Sequence, residues 1–363
     1  MRKKVIRFPM RVLFTVQGEG RGHLTQAITL RALLEKQGHE VIGVIVGKSS
    51  ARQLPDFFTA RIQAPLYTVE SPNFLPPRKK TNRPPLLRSI AYNVMRAPRF
   101  RSGVNLIRRL AREADVVVNF YELLTGLAYG MGRIHTPLVC IAHQYLLLHP
   151  DFVCPKGYAA SLRLLRFYTR CTAMGAKRLL ALSFREMPAP GGRLCVVPPL
   201  LREAVRQAQP TRGNYLHGYM LNAGFSRDIE AWHSLHPDVP LHFFWDRPTP
   251  PEGLRIDDNL TFHGLDDQLF LKYMAGARAY ATTAGFESVC EAMYLDKPIL
   301  MVPTHIEQRC NALDATLAGA GVQSETFDLD ALNALQPTDH TVFRRWADRA
   351  AEIFPREIMA VVE

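Results

Sequence analysis

Two short stretches of the 363-residue chain hold polar and reactive side chains at close, ordered intervals. The first is Gly18-Glu19-Gly20-Arg21-Gly22-His23. Three glycines at alternate positions let the backbone turn tightly and approach a ligand closely. A helix opening behind them presents N–H groups that favour an anion, typically phosphate. The pattern is not the dinucleotide fingerprint, which needs glycine where His23 stands and an acidic residue after the second strand. Nor is it a Walker loop, since no Gly-Lys-Ser/Thr follows. A neutral imidazole at position 23 suits a base that takes a proton from a hydroxyl near pH 7. The competing reading is a histidine that only closes the loop.

The second stretch runs from Thr283 to Asn311. A strand ends at Thr282-Thr283, Gly285 permits a turn, and a helix begins near Phe286. Ser288 falls in its first turn, where a hydroxyl and free N–H groups can hold a phosphate. Glu291, three residues on, can reach a ribose diol, because a carboxylate accepts two hydroxyl hydrogen bonds. Taken singly, Glu287 or Glu291 reads as a solvated helix face; their order behind Gly285 and Ser288 favours a ligand. Glu307 and Gln308 stand four and three residues before Asn311, which places all three on one helical face suited to reading sugar hydroxyls.

The elements that must position these residues alternate. Residues 11–16 form a short apolar strand, 24–37 a helix ended by Gly38, and 41–46 a second strand, which is a βαβ unit. Residues 71–85 read as a mobile Pro-rich loop, and helices over 86–97 and 104–114 are separated by Pro98. Strands at 115–120, 137–142, 178–183 and 194–197 and helices at 123–133 and 161–176 complete a parallel sheet. Proline and glycine mark a boundary at 198–213. A second series follows, with strands at 215–221, 241–245, 260–263, 279–282 and 299–302, and helices at 266–275, 286–294 and 306–318. The expected organisation is α/β: two Rossmann-like domains, 1–200 and 201–340, facing each other across a cleft, with a terminal helix over 341–363. Ligands of open α/β sheets bind at the carboxyl ends of the strands.

Bulk properties narrow the partners. With 47% hydrophobic and 21% charged residues the chain is ordinary for a globular protein. No apolar run nears the ~20 residues that span a bilayer, so a cytoplasmic location is expected. Six cysteines without metal-ligand spacing read as reduced thiols. The formal charge is +12, and between Ser71 and Arg112 stand eleven Lys and Arg with no Asp or Glu. From Arg78 to Arg112 these cations mix with Leu86, Ile90, Met95, Leu106 and Ile107, the pattern of a helix lying on an anionic membrane surface. A solvated basic loop is the plain alternative. Nucleic acid fits poorly, because no aromatic stacking platform is interleaved.

The two motifs together resemble the GT-B glycosyltransferases, in particular a bacterial and archaeal family that opens on VQGEGRGH, and more distantly MurG-type N-acetylglucosaminyltransferases. The resemblance covers nearly the whole chain, with its motifs at the two ends. It implies a donor site in the second domain formed by Thr283, Gly285, Phe286, Glu287, Ser288, Glu291, Glu307, Gln308 and Asn311. Gly285 and Ser288 would sit near the diphosphate, Glu291 at the ribose, and Glu307 and Gln308 at the transferred sugar. On the acceptor side it implies the Gly18, Gly20, Gly22 loop, His23 as the activating base, and Glu122, His143 and Gln144 at strand ends. The chain departs from that pattern twice: Ala284 stands where the first of two glycines is usual, and Asp296 where glycine usually precedes Lys297-Pro298. No metal-binding DxD is evident, since Asp328-Leu329-Asp330 reads as a helix start. The implied reaction moves a sugar from a nucleotide-sugar donor, UDP-linked, to an acceptor hydroxyl with inversion, without metal or cofactor. The acceptor would be a lipid-linked glycan or glycolipid at the inner face of the cell membrane. A nucleotide-sugar 2-epimerase using Glu122, Glu287, Glu291 and Glu307, or a non-catalytic membrane-binding module, are the alternatives.

Overall fold

A computed structural model describes residues 9–49, 53–72, 86–221 and 223–362. They divide into two compact units. The first contains the described residues of Met1–Pro150, Arg163–Leu200 and Arg349–Glu363. Its sheet has seven strands, β1 (Arg11–Gln17), β2 (Glu40–Lys48), β3 (Leu66–Glu70), β4 (Val116–Phe120), β5 (Leu138–Ala142), β6 (Arg178–Leu182) and β7 (Leu194–Val197). All pair in parallel, in the order β3-β2-β1-β4-β5-β6-β7. The strands are apolar on both faces because helices cover both. The exception is a polar pair at the centre: Thr15 lies opposite Asn119, and its hydroxyl donates to Asn119 Oδ1 at 3.0 Å. Chain order reverses between β1 and β4, so the ends of these two strands flank the switch point.

The second unit holds Asp151–Leu162 and Leu201–Asp348. Its strands are β8 (Leu216–Met220), β9 (Leu241–Trp245), β10 (Leu254–Arg255), β11 (Leu260–Gly264), β12 (Ala279–Thr282), β13 (Ile299–Met301) and β14 (Val322–Gln323). They run in the order β10-β11-β9-β8-β12-β13-β14, parallel except for the β10–β11 pair. Leu216, Phe243, Phe262, Ala281 and Leu300 centre its core. The switch point lies between β8 and β12.

The structure departs from the sequence reading in several elements. Pro98 does not divide two helices; it sits inside one helix, Leu86–Ala111. The helix Asp56–Arg61 and strand β3 lie where no element was expected, and both are short. Residues 341–363 form two helices, not one: Thr341–Asp348 ends the second unit, and Ala350–Met359 packs beside β7 in the first, where Glu357 meets Arg178 at 3.1 Å. The loop expected over 71–85 lies, from residue 73 on, outside the described residues, as do Arg78, Lys79, Lys80 and Arg83.

The basic segment is also less available than its sequence suggests. Glu70 of β3 pairs with Arg96 and Arg99. Val104, Ile107, Leu110 and Ala111 are buried in the protein's own core. In this half of the helix the apolar residues cannot enter a bilayer, while Arg101, Arg109 and Arg112 stay exposed.

Candidate active site

In the first unit the residues singled out stand at the ends of β1, β4 and β5. Gly18 N donates to Gly47 O at 2.8 Å, and a Cβ on Gly18 would lie 2.7 Å from Val46 Cγ1, so glycine is required. Glu19 braces the loop by accepting from Ser49 N at 2.6 Å. Gly20 caps the helix Arg21–Lys36 in an extended conformation, with no side-chain cap bond among the described residues. Gly22 and His23 occupy its first turn. The His23 ring is largely buried; its Nδ1 donates to Gln26 Oε1 at 3.1 Å, and the ring stacks on Tyr121 at 5.6 Å. In the tautomer that donates from Nδ1 to this amide oxygen, Nε2 is the basic nitrogen.

Tyr121 was missed by sequence reasoning. It follows β4 directly, takes a left-handed φ of +59°, and its hydroxyl lies 2.8 Å from Thr169 Oγ1. A bulky residue in that region marks a turn held by its surroundings. The position immediately after a buried strand was its only signal.

Glu122 is not placed as a base. Only 1% exposed, it caps the helix Leu123–Gly130, accepting from Leu124 N at 3.1 Å, Thr125 N at 2.7 Å, Thr125 Oγ1 at 2.9 Å and the Ser71 hydroxyl. Burial pushes its pKa up despite those bonds. A Cβ on Gly47 would collide with its carboxylate. His143 opens a 3-10 turn after β5, and its Nδ1 donates to Leu182 O at 2.8 Å. Desolvation lowers its pKa to about 4, so the ring is neutral. Gln144 beside it is buried.

In the second unit β12 leads into the turn Thr283-Ala284-Gly285 and the helix Phe286–Tyr294. Gly285 is the N-cap, extended at φ −67°, ψ 133°, with no side-chain cap bond among the described residues. Ser288 in the first turn donates to Gly285 O at 3.2 Å and lies 3.3 Å from Thr282 Oγ1. The Thr283 hydroxyl is buried and makes no hydrogen bond among the described residues. Ala284 takes φ +61° and Asp296 φ +53°. Both positions where glycine was expected therefore keep the left-handed backbone that glycine would supply.

Three predicted ligand contacts also have protein partners. Glu291 is buried and forked by Arg202, with Nε to Oε1 at 2.6 Å and Nη2 to Oε2 at 2.7 Å. Arg202 also reaches the Asp267 carboxylate. It lies in the 198–213 boundary segment, 89 residues from Glu291, and nothing in sequence signalled the pair. Gln308 Oε1 accepts from Thr304 N at 2.9 Å and Thr304 Oγ1 at 2.7 Å. Asn311 Nδ2 donates to Ala284 O at 3.1 Å. The expected hydroxyl-reading face is thus half committed to bracing loops. Glu307 and Glu287 stand in the first turns of their helices, half-buried.

Sequence reasoning also passed over a cavity of about 670 Å³ at the carboxyl ends of β9 and β11, lined by Arg247, Thr249, His263, Asp266, Gln268 and Lys272 among others. Asp266 caps the helix behind it, accepting from Leu269 N at 2.6 Å. His263 bonds His242 at 3.2 Å, and His217 donates from Nδ1 to His242 O at 3.1 Å. Burial lowers all three, His217 to about 3 and the others to about 4.

Two doubly wound, mostly parallel seven-stranded sheets, each with an open helix start at its switch point, define a glycosyltransferase of the GT-B fold. The chain belongs to glycosyl transferase family 1, whose model matches residues 10–336. It is similar to the solved glycotransferase of kitacinnamycin, at 18% identity over 97% of this chain and 100% of that one, with a TM-score of 0.64. Medicago truncatula UGT71G1 complexed with UDP-glucose is 14% identical over 98% and 97%, with a TM-score of 0.64. Acinetobacter baumannii MurG is 17% identical over 97% and 100%, with a TM-score of 0.55. No curated protein matches the chain.

Proposed function

We propose that the protein transfers a sugar from a UDP-linked donor to an acceptor hydroxyl, with inversion and without a metal. The observation that carries this is the open start of the Phe286–Tyr294 helix, entered through Ala284-Gly285 with Ser288 in its first turn. N–H groups there suit the donor diphosphate. The β9/β11 cavity lies on the same sheet edge, two to three strands away. At about 4.8 Å per strand that is about 10–15 Å, the reach of a nucleoside diphosphate. UDP is the favoured nucleotide because the similar plant enzyme holds UDP-glucose. In the reaction, His23 Nε2 takes the proton of the acceptor hydroxyl, whose oxygen attacks the anomeric carbon. The bond from that carbon to the diphosphate oxygen breaks, and the diphosphate leaves with the electron pair, stabilised by the helix N–H groups and Ser288. Glu307 is kept as a sugar contact, and Glu291, oriented by Arg202 and with acceptor capacity left on both oxygens, as the ribose contact.

Thermal shift with UDP-, GDP-, dTDP- and CDP-sugars tests the donor. At a hundred times its Kd a bound donor stabilises by about 2.7 kcal/mol. A UDP-sugar shift that survives EDTA supports the reading; no shift with any nucleotide sugar, or a shift that EDTA removes, contradicts it.

The acceptor is proposed to be lipid-linked, with the protein held on an anionic cytoplasmic leaflet by residues 78–112. Right-handed crossovers place the helices Leu86–Ala111, Leu123–Gly130 and Ala159–Thr172 on one face of the first sheet. None of the three contains Asp or Glu. Met95 is 83% and Phe167 64% exposed there, beside Arg99, Arg163 and Arg170. Co-sedimentation with anionic vesicles, reduced by salt and absent with neutral ones, is expected; binding that ignores lipid charge removes the membrane reading.

A further inference from the structure

We propose that Asn311 is a positioning residue: it clamps a strained turn, and the clamped turn sets the open start of the Phe286–Tyr294 helix. The clamp takes its ligand from the donor reading above, but its geometry stands independently. Ala284 is fully buried and takes φ +61°, where an L side chain crowds its own backbone. Left alone, the residue would favour an ordinary φ. That relaxation would swing its carbonyl and re-aim Gly285, whose extended conformation turns the chain into the helix. The Asn311 amide, buried on the helix Ile306–Leu317, donates to Ala284 O at 3.1 Å across 27 residues of sequence. It grips the carbonyl that would have to move. Releasing it leaves that buried carbonyl unpaired, so the clamp and the strain oppose each other directly. One turn earlier on the same helix, Gln308 holds Thr304 by accepting from its N–H and its hydroxyl. This helix face therefore braces the loops after β12 and β13.

The clamp makes a prediction that a sugar contact does not. Glycine at position 284 would adopt the turn without strain, and the turn would then no longer depend on Asn311. The experiment compares the wild type, Asn311→Ala, Ala284→Gly and the double variant, by calorimetric titration with UDP and by urea unfolding. UDP lacks the transferred sugar, so a direct contact to that sugar would leave its affinity unaffected. Asn311→Ala is expected to weaken UDP binding about tenfold, the worth of one buried hydrogen bond, and to lower the urea midpoint. Adding Ala284→Gly is expected to restore most of the affinity. The midpoint loss from Asn311→Ala should also be smaller in that background. Asn311→Leu, which keeps the volume and removes the donor, should behave like Asn311→Ala.

Unchanged UDP affinity in Asn311→Ala overturns the proposal. So does a loss that Ala284→Gly fails to restore, because Asn311 would then touch the ligand. Coupled midpoints in a protein that does not bind UDP would leave the clamp standing and sink the donor reading. Midpoints without coupling sink the clamp whatever binds.

Discussion

Arg202 holds three carboxylate oxygens at once, two from Glu291 and one from Asp267. The Arg202 side chain is 11% exposed; desolvation works against its charge, and the attraction of Glu291 and Asp267 outweighs it. Removing one partner of such a group leaves a buried charge uncompensated. Glu291→Ala should therefore destabilise the fold by about 3–5 kcal/mol in urea titration, where a solvent-facing ribose ligand would cost nearly nothing. Replacing the pair together, Arg202→Met with Glu291→Leu, should recover much of that loss. His23 belongs to the same scale. In the tautomer whose Nδ1 donates to Gln26, Nε2 is the nitrogen that accepts a proton. His23→Ala should lower kcat by about 10²–10⁴-fold, with UDP affinity unchanged; equal turnover at saturating acceptor would place the base elsewhere. His23 and Ser288 were legible in the sequence because helix starts and glycine loops are local signals. Arg202 was not, because its partner lies 89 residues away and no periodicity encodes that contact.

Helices and strands were legible wherever an apolar run was long enough to show a period. All strands of the second unit except the two-residue β10 and β14 fall where alternation and apolar runs placed them. Short elements such as Asp56–Arg61 are decided by tertiary packing, which a window of six residues cannot express. Pro98 misled for a clearer reason: proline usually ends a helix, yet here packing carries Leu86–Ala111 through it. The helix tolerates a missing N–H at an exposed position. Pro98→Ala should therefore raise stability by about 1–3 kcal/mol, read as a higher urea midpoint; an unchanged or lower midpoint would mean that the proline sets a bend that packing requires. The left-handed turns at Ala284 and Asp296 show the converse case. Sequence located both departures from glycine, but only the fold shows what holds them. Asn311 grips the first, and the Arg344 ion pair with a bond from His340 N at 3.1 Å holds the second.

At the scale of the whole molecule, burial lowers the pKa of six described histidines: His143, His242 and His263 to about 4, His217 to about 3, and His305 and His340 below the ordinary value. Unfolded, each returns to about 6.5, so between those values the unfolded chain binds more protons. Their contribution is complete above about pH 6.5 and is lost as pH falls toward 4. Glu122, raised by burial, acts in the opposite direction, but as one group against six. The urea midpoint should be clearly lower at pH 5 than at pH 7; a higher midpoint at pH 5 would contradict the buried, neutral assignment. The central claim, that the donor diphosphate rests on the start of the Phe286–Tyr294 helix, is tested most directly by titrating UDP into Ser288→Asp beside the wild type. A carboxylate in the first turn suits the helix dipole and should raise stability by about 0.3–1 kcal/mol, so lost binding cannot be blamed on unfolding. The account predicts that the wild type binds UDP and that the variant, with a negative charge where the diphosphate must sit, does not. Equal UDP affinity in the two proteins would contradict it.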